Sequence, residues 1–279
     1  MNFVVVNDPH FMAKSGTRLE ILPALLEKWD WVLGFCKANN AVLLCTGDFF
    51  NSAVVPDEVK NEIMQRINFH GVKIYGIYGN HDLLYNNDEY SGRTSLRTME
   101  LAGCVTIVRS ELDFSGVSVA PVGVKTNQPS IVLGHGFLEV GGAPMFKISE
   151  LDVYDKPTCV FLGHDHKAYN PVVVNESTPT ICYRHGSFIR QSVDCVEDVP
   201  TVACVSFNGT DFDVQVVPIA CAKQAVFISN SSHSIVFDAV EVEALVASLD
   251  TITTETKDLS YYLQSLASPE VLSYLQTLK

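Results

Sequence analysis

No two cysteines stand at Cys-x-x-Cys spacing, which excludes the usual zinc and dithiol motifs. The eight cysteines occur singly, with Cys45, Cys159, Cys182 and Cys204 inside apolar runs, as reduced, buried thiols do in a cytosolic setting. Long apolar runs are lacking too. None approaches the ~18 residues of a membrane span, and no charged leader with an apolar core precedes the first predicted strand, so a cytoplasmic protein without a membrane partner is expected. Basic charge is scarce: 19 Lys and Arg against 32 Asp and Glu leave a formal net charge of −13. That excludes a broad basic face for nucleic acid and leaves only local basic contacts, while bound divalent cations would offset part of the excess. With no internal repeat or low-complexity tract, the 279 residues are expected to form one large domain, or a large domain with a small appendage.

What the chain does have is polar residues concentrated where apolar runs stop. Gly79-Asn80-His81-Asp82 follows the run Val72 to Tyr78 and is the richest of these. Four others share its character: Asp8-Pro9-His10 after Phe3 to Val6, Gly47-Asp48 after Ala41 to Cys45, Gly134-His135 after Ile131 to Leu133, and Gly163-His164-Asp165-His166 after Cys159 to Leu162. Five of the eight histidines fall in these five motifs, whereas His70 and His233 read as surface or helix-end residues.

The spacing between the motifs predicts an α/β chain. Leu22, Leu25, Leu26, Trp29 and Leu33 recur at helical spacing after the first strand, with Pro23 tolerable only in the first turn. A second helix is expected from Pro56, with Val59, Ile63 and Ile67 on one face, and a short one near Thr94 to Leu101. Strand, helix, strand, helix, strand is the signature of a parallel sheet with crossover helices. From Val105 onward short β-rich runs (Val105 to Val108, Val117 to Val122, Ile131 to Leu133, Cys159 to Leu162, Val172 to Val174, Thr180 to Tyr183, Val202 to Phe207, Phe212 to Val217) predict a second sheet packed on the first. Pro218 to Ala222 reads as a boundary between a domain over 1–218 and a small α/β appendage over 219–279. That appendage is expected to hold a strand at Ala225 to Ile228, a helix capped by Asp238, and an apolar face from Leu259 to Leu278.

In a strand, residues i and i+2 face the same way, so Asp8 and His10 can present a carboxylate and an imidazole to a single ion, and His164 and His166 can address neighbouring ions. The natural partition gives one ion Asp8, His10, Asp48 and His166, and the other Asp48, Asn80, His135 and His164, with the Asp48 carboxylate bridging. Imidazole and oxygen donors without thiolate suit Mn, Fe or Zn better than Mg or Ca. His81, unnecessary for the ligand count, is the candidate acid for a departing alkoxide, with Asp82 expected to orient its imidazole.

Asp-x-His, Gly-Asp, Gly-Asn-His-Asp, Gly-His and Gly-His-x-His, in this order, resemble the pattern of the calcineurin-like metallophosphoesterases over roughly Met1 to Pro218. The resemblance implies a four-layer αββα sandwich and a dinuclear, often Mn-dependent, phosphoesterase with the ligands assigned above. The protein-phosphatase branch carries an arginine after its Gly-Asp motif, and Gly47-Asp48-Phe49-Phe50-Asn51-Ser52 lacks it. Phe50 and Pro56 instead resemble the SbcD-type DNA repair nuclease, with Asn51 in place of that branch's Asp; a compact, phage-type member is implied by the short C-terminal segment. Gly186-Ser187 resembles that branch's turn beside the substrate groove. On that resemblance Arg184, His185, Ser187 and Arg190, together with Asn51, are the candidate substrate contacts.

A DNA exonuclease or endonuclease of the SbcD type is therefore the first expectation, with DNA, an SMC-like ATPase subunit or a second copy of the chain as partners. A phosphodiesterase for a small cyclic or linear nucleotide is the second, and a non-catalytic scaffold the third. Basic residues (Arg18, Arg93, Arg97, Lys125, Lys147, Lys167, Arg184, Arg190) clustered beside the metals would favour DNA. Closure of the Leu83 to Arg93 loop over a small pocket would favour the nucleotide.

Overall fold

The computed structural model describes residues 1–15, 21–139, 146–190 and 195–222. Strands β1 (Asn2–Val6), β2 (Ala41–Cys45), β3 (Ile74–Gly76) and β4 (Thr106–Ile107) run parallel, joined by helices α1 (Ile21–Ala38), α2 (Asp57–His70) and α3 (Ser95–Leu101). Period-two alternation divides the strand side chains between two faces. Val4, Val6, Leu43 and Cys45 join one apolar cluster with the helices, while Phe3, Val5, Val42 and Leu44 join a second cluster between the sheets. The helical spacing of the sequence is realised: Leu22, Leu25, Leu26, Trp29 and Leu33 of α1 are buried, as are Val59, Ile63 and Ile67 of α2. Pro23 lies in the first turn of α1, where its missing N–H costs no helical bond. Gly71 closes α2 at φ 67°, a left-handed cap that favours glycine.

The second sheet has the order β5 (Leu112–Asp113), β6 (Ser118–Pro121), β7 (Ser130–His135), β8 (Thr158–Gly163), β10 (Thr180–His185), β9 (Ala168–Asn175). Its inner face contributes Val119, Ile131, Leu133, Cys159 and Phe161 to the core between the sheets. On its outer face Val132, Val160, Leu162 and Cys182 pack under Leu138, Leu151 and Tyr154, with the one-turn helix α4 (Ile148–Leu151). The architecture is an α/β sandwich of two mixed sheets with helices around them.

Three runs expected in the second sheet belong to the first. The Val105 to Val108 run supplies β4, parallel to β3, because α3 returns the chain on the same side of the sheet. Strands β11 (Thr201–Phe207) and β12 (Phe212–Pro218) form a hairpin whose first strand pairs antiparallel with β1, covering the edge that β1 would otherwise expose. The larger compact unit of the chain covers Met1–Ile228, and the strand and helices expected beyond Ala222 lie outside the described residues. Among the described residues no helix is long and apolar enough to cross a membrane.

Candidate metal centre

Parallel strands leave their carboxyl ends on one edge, and the five motifs stand at or just beyond those ends in β1, β2, β3, β7 and β8. The chain there must turn within a residue or two. Asp8, His10, Asp48 and His164 all have left-handed backbone, at φ 50°, 46°, 48° and 86°. Such conformations cost of order 1–3 kcal/mol each for residues with a Cβ and persist only where the surroundings impose them. A side chain at Gly163 would meet Thr46 Oγ1 at 2.5 Å and Asp8 Oδ1 at 3.0 Å, and one at Gly79 would collide with the Asp48 carboxylate. These two glycines let the motifs approach.

The resulting cluster is centred on Asp48. Its Oδ1 accepts the backbone N–H of His81 at 2.8 Å, which fixes the carboxylate and leaves Oδ2 3.5 Å from His10 Nε2 and 3.2 Å from His135 Nε2. On the His10 side, His166 Nε2 lies 3.1 Å from His10 Nε2. On the other side, Asn80 Oδ1 lies 3.0 Å from His135 Nε2, and the His164 ring stands edge-on to His135. Asp8 Oδ1 accepts the His164 N–H at 2.9 Å, while its Oδ2 is buried without a hydrogen-bond partner, as is His10 Nδ1. His135 Nδ1 sits 2.9 Å from the Thr46 carbonyl, an arrangement in which Nδ1–H donates and Nε2 is left as a ligand atom.

Charge in this space is strongly coupled. Burial pushes Asp8 up to about 7 and His10 down to about 3. Burial also opposes ionisation of Asp48, but the adjoining His135 and His10 outweigh it and hold Asp48 at about 2. His135 is raised to about 9: burial disfavours its charge, and the Asp48 and Asp8 carboxylates more than compensate. Facing imidazole nitrogens, a shared carboxylate oxygen and a partnerless carboxylate oxygen within one buried space fit divalent cations in two adjacent sets, Asp8, His10, His166 and Asp48, His135, His164, with His10, Asp48 and His81 forming a third that overlaps both.

Two expectations at the site need correction. Asp82 does not orient His81. Its carboxylate accepts the N–H groups of Phe49, Phe50 and Gly79 at 3.1, 2.9 and 3.0 Å, clamping the Gly47 loop to the Gly79 loop, and it is the Asn51 carbonyl that meets His81 Nδ1 at 2.8 Å. Asn51 thus reaches the site through its backbone. The turn Arg184 to Arg190 does not present phosphate contacts either, because Arg184, His185, Ser187 and Arg190 are only 3% to 8% exposed. Arg184 stacks its guanidinium over Tyr169, and Arg190 donates to the carbonyls of Val196 and Ala222. His185 packs beside Thr201 with its pKa pushed down to about 4 by burial. Ser187 has a supporting role, donating from Oγ to the Asp8 carbonyl while its N–H donates to the His166 carbonyl.

Sequence reasoning missed Asn7 and Thr46. The Asn7 amide donates to the Leu162 carbonyl and accepts from Thr46 Oγ1 at 2.8 Å, tying the ends of β1, β2 and β8 together. Their signal was position: each is a polar residue inserted between an apolar strand and a ligand. His70 is the last residue of α2 and lies 3.4 Å from Asp30.

A cleft of about 870 Å³ opens beside the second set, walled by Leu83, Tyr85, Asn86, Asn87 and Asp88 and floored by Asn80, His135 and His164. Arg97 and Arg109 share the single Glu100 carboxylate, which leaves that trio with one net positive charge, and Lys125 pairs with Asp155. Arg93, Lys147 and Lys167 are exposed, and Arg18 lies outside the described residues.

The family model of the calcineurin-like phosphoesterases matches residues 1–168, the stretch from β1 through the last histidine motif. No curated protein sequence matches significantly. Among solved structures the fold resembles TT1561 of Thermus thermophilus, with a TM-score of 0.51 and 10% identity over 78% of this chain and 98% of that one. The NAD nucleotidase of Haemophilus influenzae aligns at a TM-score of 0.48 with 11% identity, over 78% of this chain and 49% of its own. A 5'-nucleotidase precursor from Thermus thermophilus aligns at 0.44 with 12% identity, over 90% and 59%.

Proposed function

Since this chain belongs to the calcineurin-like phosphoesterases, whose members normally bind two divalent metals, we propose that it hydrolyses the phosphoester bond of a nucleotide-sized substrate, most readily a phosphodiester. The observation that carries the reading is Asp48 Oδ2 standing between His10 Nε2 and His135 Nε2, where one carboxylate serves both ligand sets. Asp8, His10, Asp48 and His166 would hold one ion, and Asp48, Asn80, His135 and His164 the other. Manganese, iron or zinc suits these donors. Two divalent cations there supply Lewis acidity toward a phosphoryl oxygen and toward water. The chain's own part is to fix the carboxylates through the His81 and His164 amides, and to deliver a proton. With Nδ1 held by the Asn51 carbonyl, His81 has Nε2 free of that bond to protonate the departing oxygen.

A small substrate is favoured over duplex DNA by the cleft that the Leu83 to Arg93 loop forms at the cluster. The SbcD-type nuclease, with DNA and an ATPase as partners, is the alternative that the same assay addresses. Purified protein supplied with Mn, Fe or Zn is given cyclic nucleotides, bis-p-nitrophenyl phosphate, and linear duplex or single-stranded DNA, with Asp48→Ala as the control for contaminants. Turnover of the small diesters alone is the expected result. Degradation of DNA that disappears in the control would replace this reading with the nuclease. His81→Ala is expected to keep its metal and lose about a hundred- to ten-thousand-fold in turnover. Wild-type turnover by that variant would rule out the acid role.

A further inference from the structure

The loop over the cluster carries a feature that phosphate chemistry does not require. Tyr85 is 87% exposed at the wall of the 870 Å³ cleft, between Leu83-Leu84 and the polar run Asn86 to Glu89. Its backbone is left-handed, at φ 57°, and so is that of Asn86, at φ 51°. Two successive residues with side chains in this region are uncommon and need local support. The loop provides it. The Asn87 N–H donates to the Leu84 carbonyl, the Asn87 side chain accepts from the Glu89 N–H, and the Tyr90 N–H donates to the Asn87 carbonyl. The Tyr90 ring then packs edge-on against Tyr85 at 5.6 Å, which steadies the phenol without covering it. An aromatic face that a neighbouring ring braces at its edge while leaving it open to solvent is available for stacking.

The chemistry of the cleft restricts what can stack there. Beyond the histidines of the cluster, its described lining holds one carboxylate, Asp88, and no Lys or Arg. A second phosphate or a chain of phosphates would meet that carboxylate without a compensating cation. An uncharged planar ring would meet the Tyr85 face, with the amides of Asn86 and Asn87 and the Asp88 carboxylate at hand for its polar edge. We propose that Tyr85 is the stacking platform for the nucleobase of a substrate whose single phosphate group sits at the histidine cluster, so that the enzyme selects nucleoside monophosphate esters over plain phosphate esters. This rests on the proposed hydrolytic reading for the position of the phosphate, and on the cleft alone for the base.

The test compares equilibrium binding of adenosine monophosphate and inorganic phosphate to the manganese-loaded full chain by calorimetry. Stacking of a base on an aromatic residue corresponds to roughly a 5- to 150-fold gain in affinity. Adenosine monophosphate is therefore expected to bind at least about fivefold more tightly than phosphate. Tyr85→Ala should collapse that ratio toward one, and Tyr85→Phe should preserve it, because the ring face and not the hydroxyl is used. Equal affinities in the native chain, or a ratio that survives in Tyr85→Ala, would overturn the proposal. Its failure is separable from failure of the hydrolytic reading. A chain that hydrolyses diesters with no nucleoside preference defeats only the platform, and one that shows the preference but hydrolyses nothing defeats only the activity.

Discussion

The five strand-end motifs and the turn from Arg184 to Arg190 are both rich in polar and basic side chains, yet they are built oppositely. In the motifs the backbone is forced into left-handed conformations at Asp8, His10, Asp48 and His164, and polar atoms face one another without satisfying one another. In the turn Arg190 is bonded to carbonyls, Arg184 lies flat on Tyr169, and His185 is enclosed beside Thr201. Facing imidazoles and carboxylates that converge on one buried space mark the first region as a place for something to bind; in the second, Arg184 Nη1 and His185 Nε2 are also buried without a hydrogen-bond partner, but the other bonds run to the fold itself and hold the sheet ends together. Substitutions should therefore separate them: function without stability at the side chains that face the cluster, stability without function in the turn.

The largest effect is expected at Asp48. Asp48→Ala removes the oxygen common to both ligand sets, so metal content measured by elemental analysis should fall from two ions to none, and hydrolysis of bis-p-nitrophenyl phosphate should vanish with it. Retention of one tightly held ion would show that the two sets are independent.

His185 provides the converse case through pH. Its pKa is about 6.5 when the chain is unfolded and about 4 when folded, because burial disfavours the charged ring. Between these values the unfolded chain binds more protons, so the contribution is fully present above about pH 6.5 and is lost as pH falls toward 4. By linkage the loss amounts to about 3 kcal/mol. Denaturant unfolding at pH 7 and pH 4.5 should show native protein losing more stability than a His185→Gln chain. Parallel losses would place the imidazole in water.

Asp82→Asn keeps the shape but turns an amide N–H₂ toward backbone donors, so about 2–3 kcal/mol of stability should be lost. The expected companion is a weakened hold on both ions, since the two clamped loops carry Asp48 and Asn80. The smallest effect is expected at Arg190. Arg190→Gln should cost about 1–2 kcal/mol in unfolding and leave KM for any substrate within about twofold, because its guanidinium donates to carbonyls of the fold. A large rise in KM would return this turn to the substrate groove.

How far the sequence could be read follows from the same contrast. Helix faces such as Val59, Ile63 and Ile67 are periodic, and periodicity is local, so α1, α2 and α3 were legible. Strand existence was legible too, apart from the two-residue β5, but sheet membership was not. Nothing in Val202 to Phe207 says that its partner is β1, at the opposite end of the described chain, and not the strand just before it. The histidines and aspartates of the motifs could be read because each directly follows an apolar run, and parallel strands deliver such positions to one edge. Asp82 was misread for the same reason. It sits beside Asn80 and His81, but its partners are amides at Phe49 and Phe50, which only the folded loops bring near.

The pairing of β1 with β11 carries a consequence for the order of events during synthesis. Asp8 is made long before Ser187, yet its carbonyl is held by that residue, and the neighbouring Asn7 carbonyl accepts the Phe188 N–H. A growing chain that has emitted every ligand through His166 still lacks the segment that clamps the first of them. Contacts so distant along the chain are entropically expensive and form late. The nascent protein therefore passes through a stage in which every strand-end motif has been made but the segment that holds the backbone at Asp8 has not.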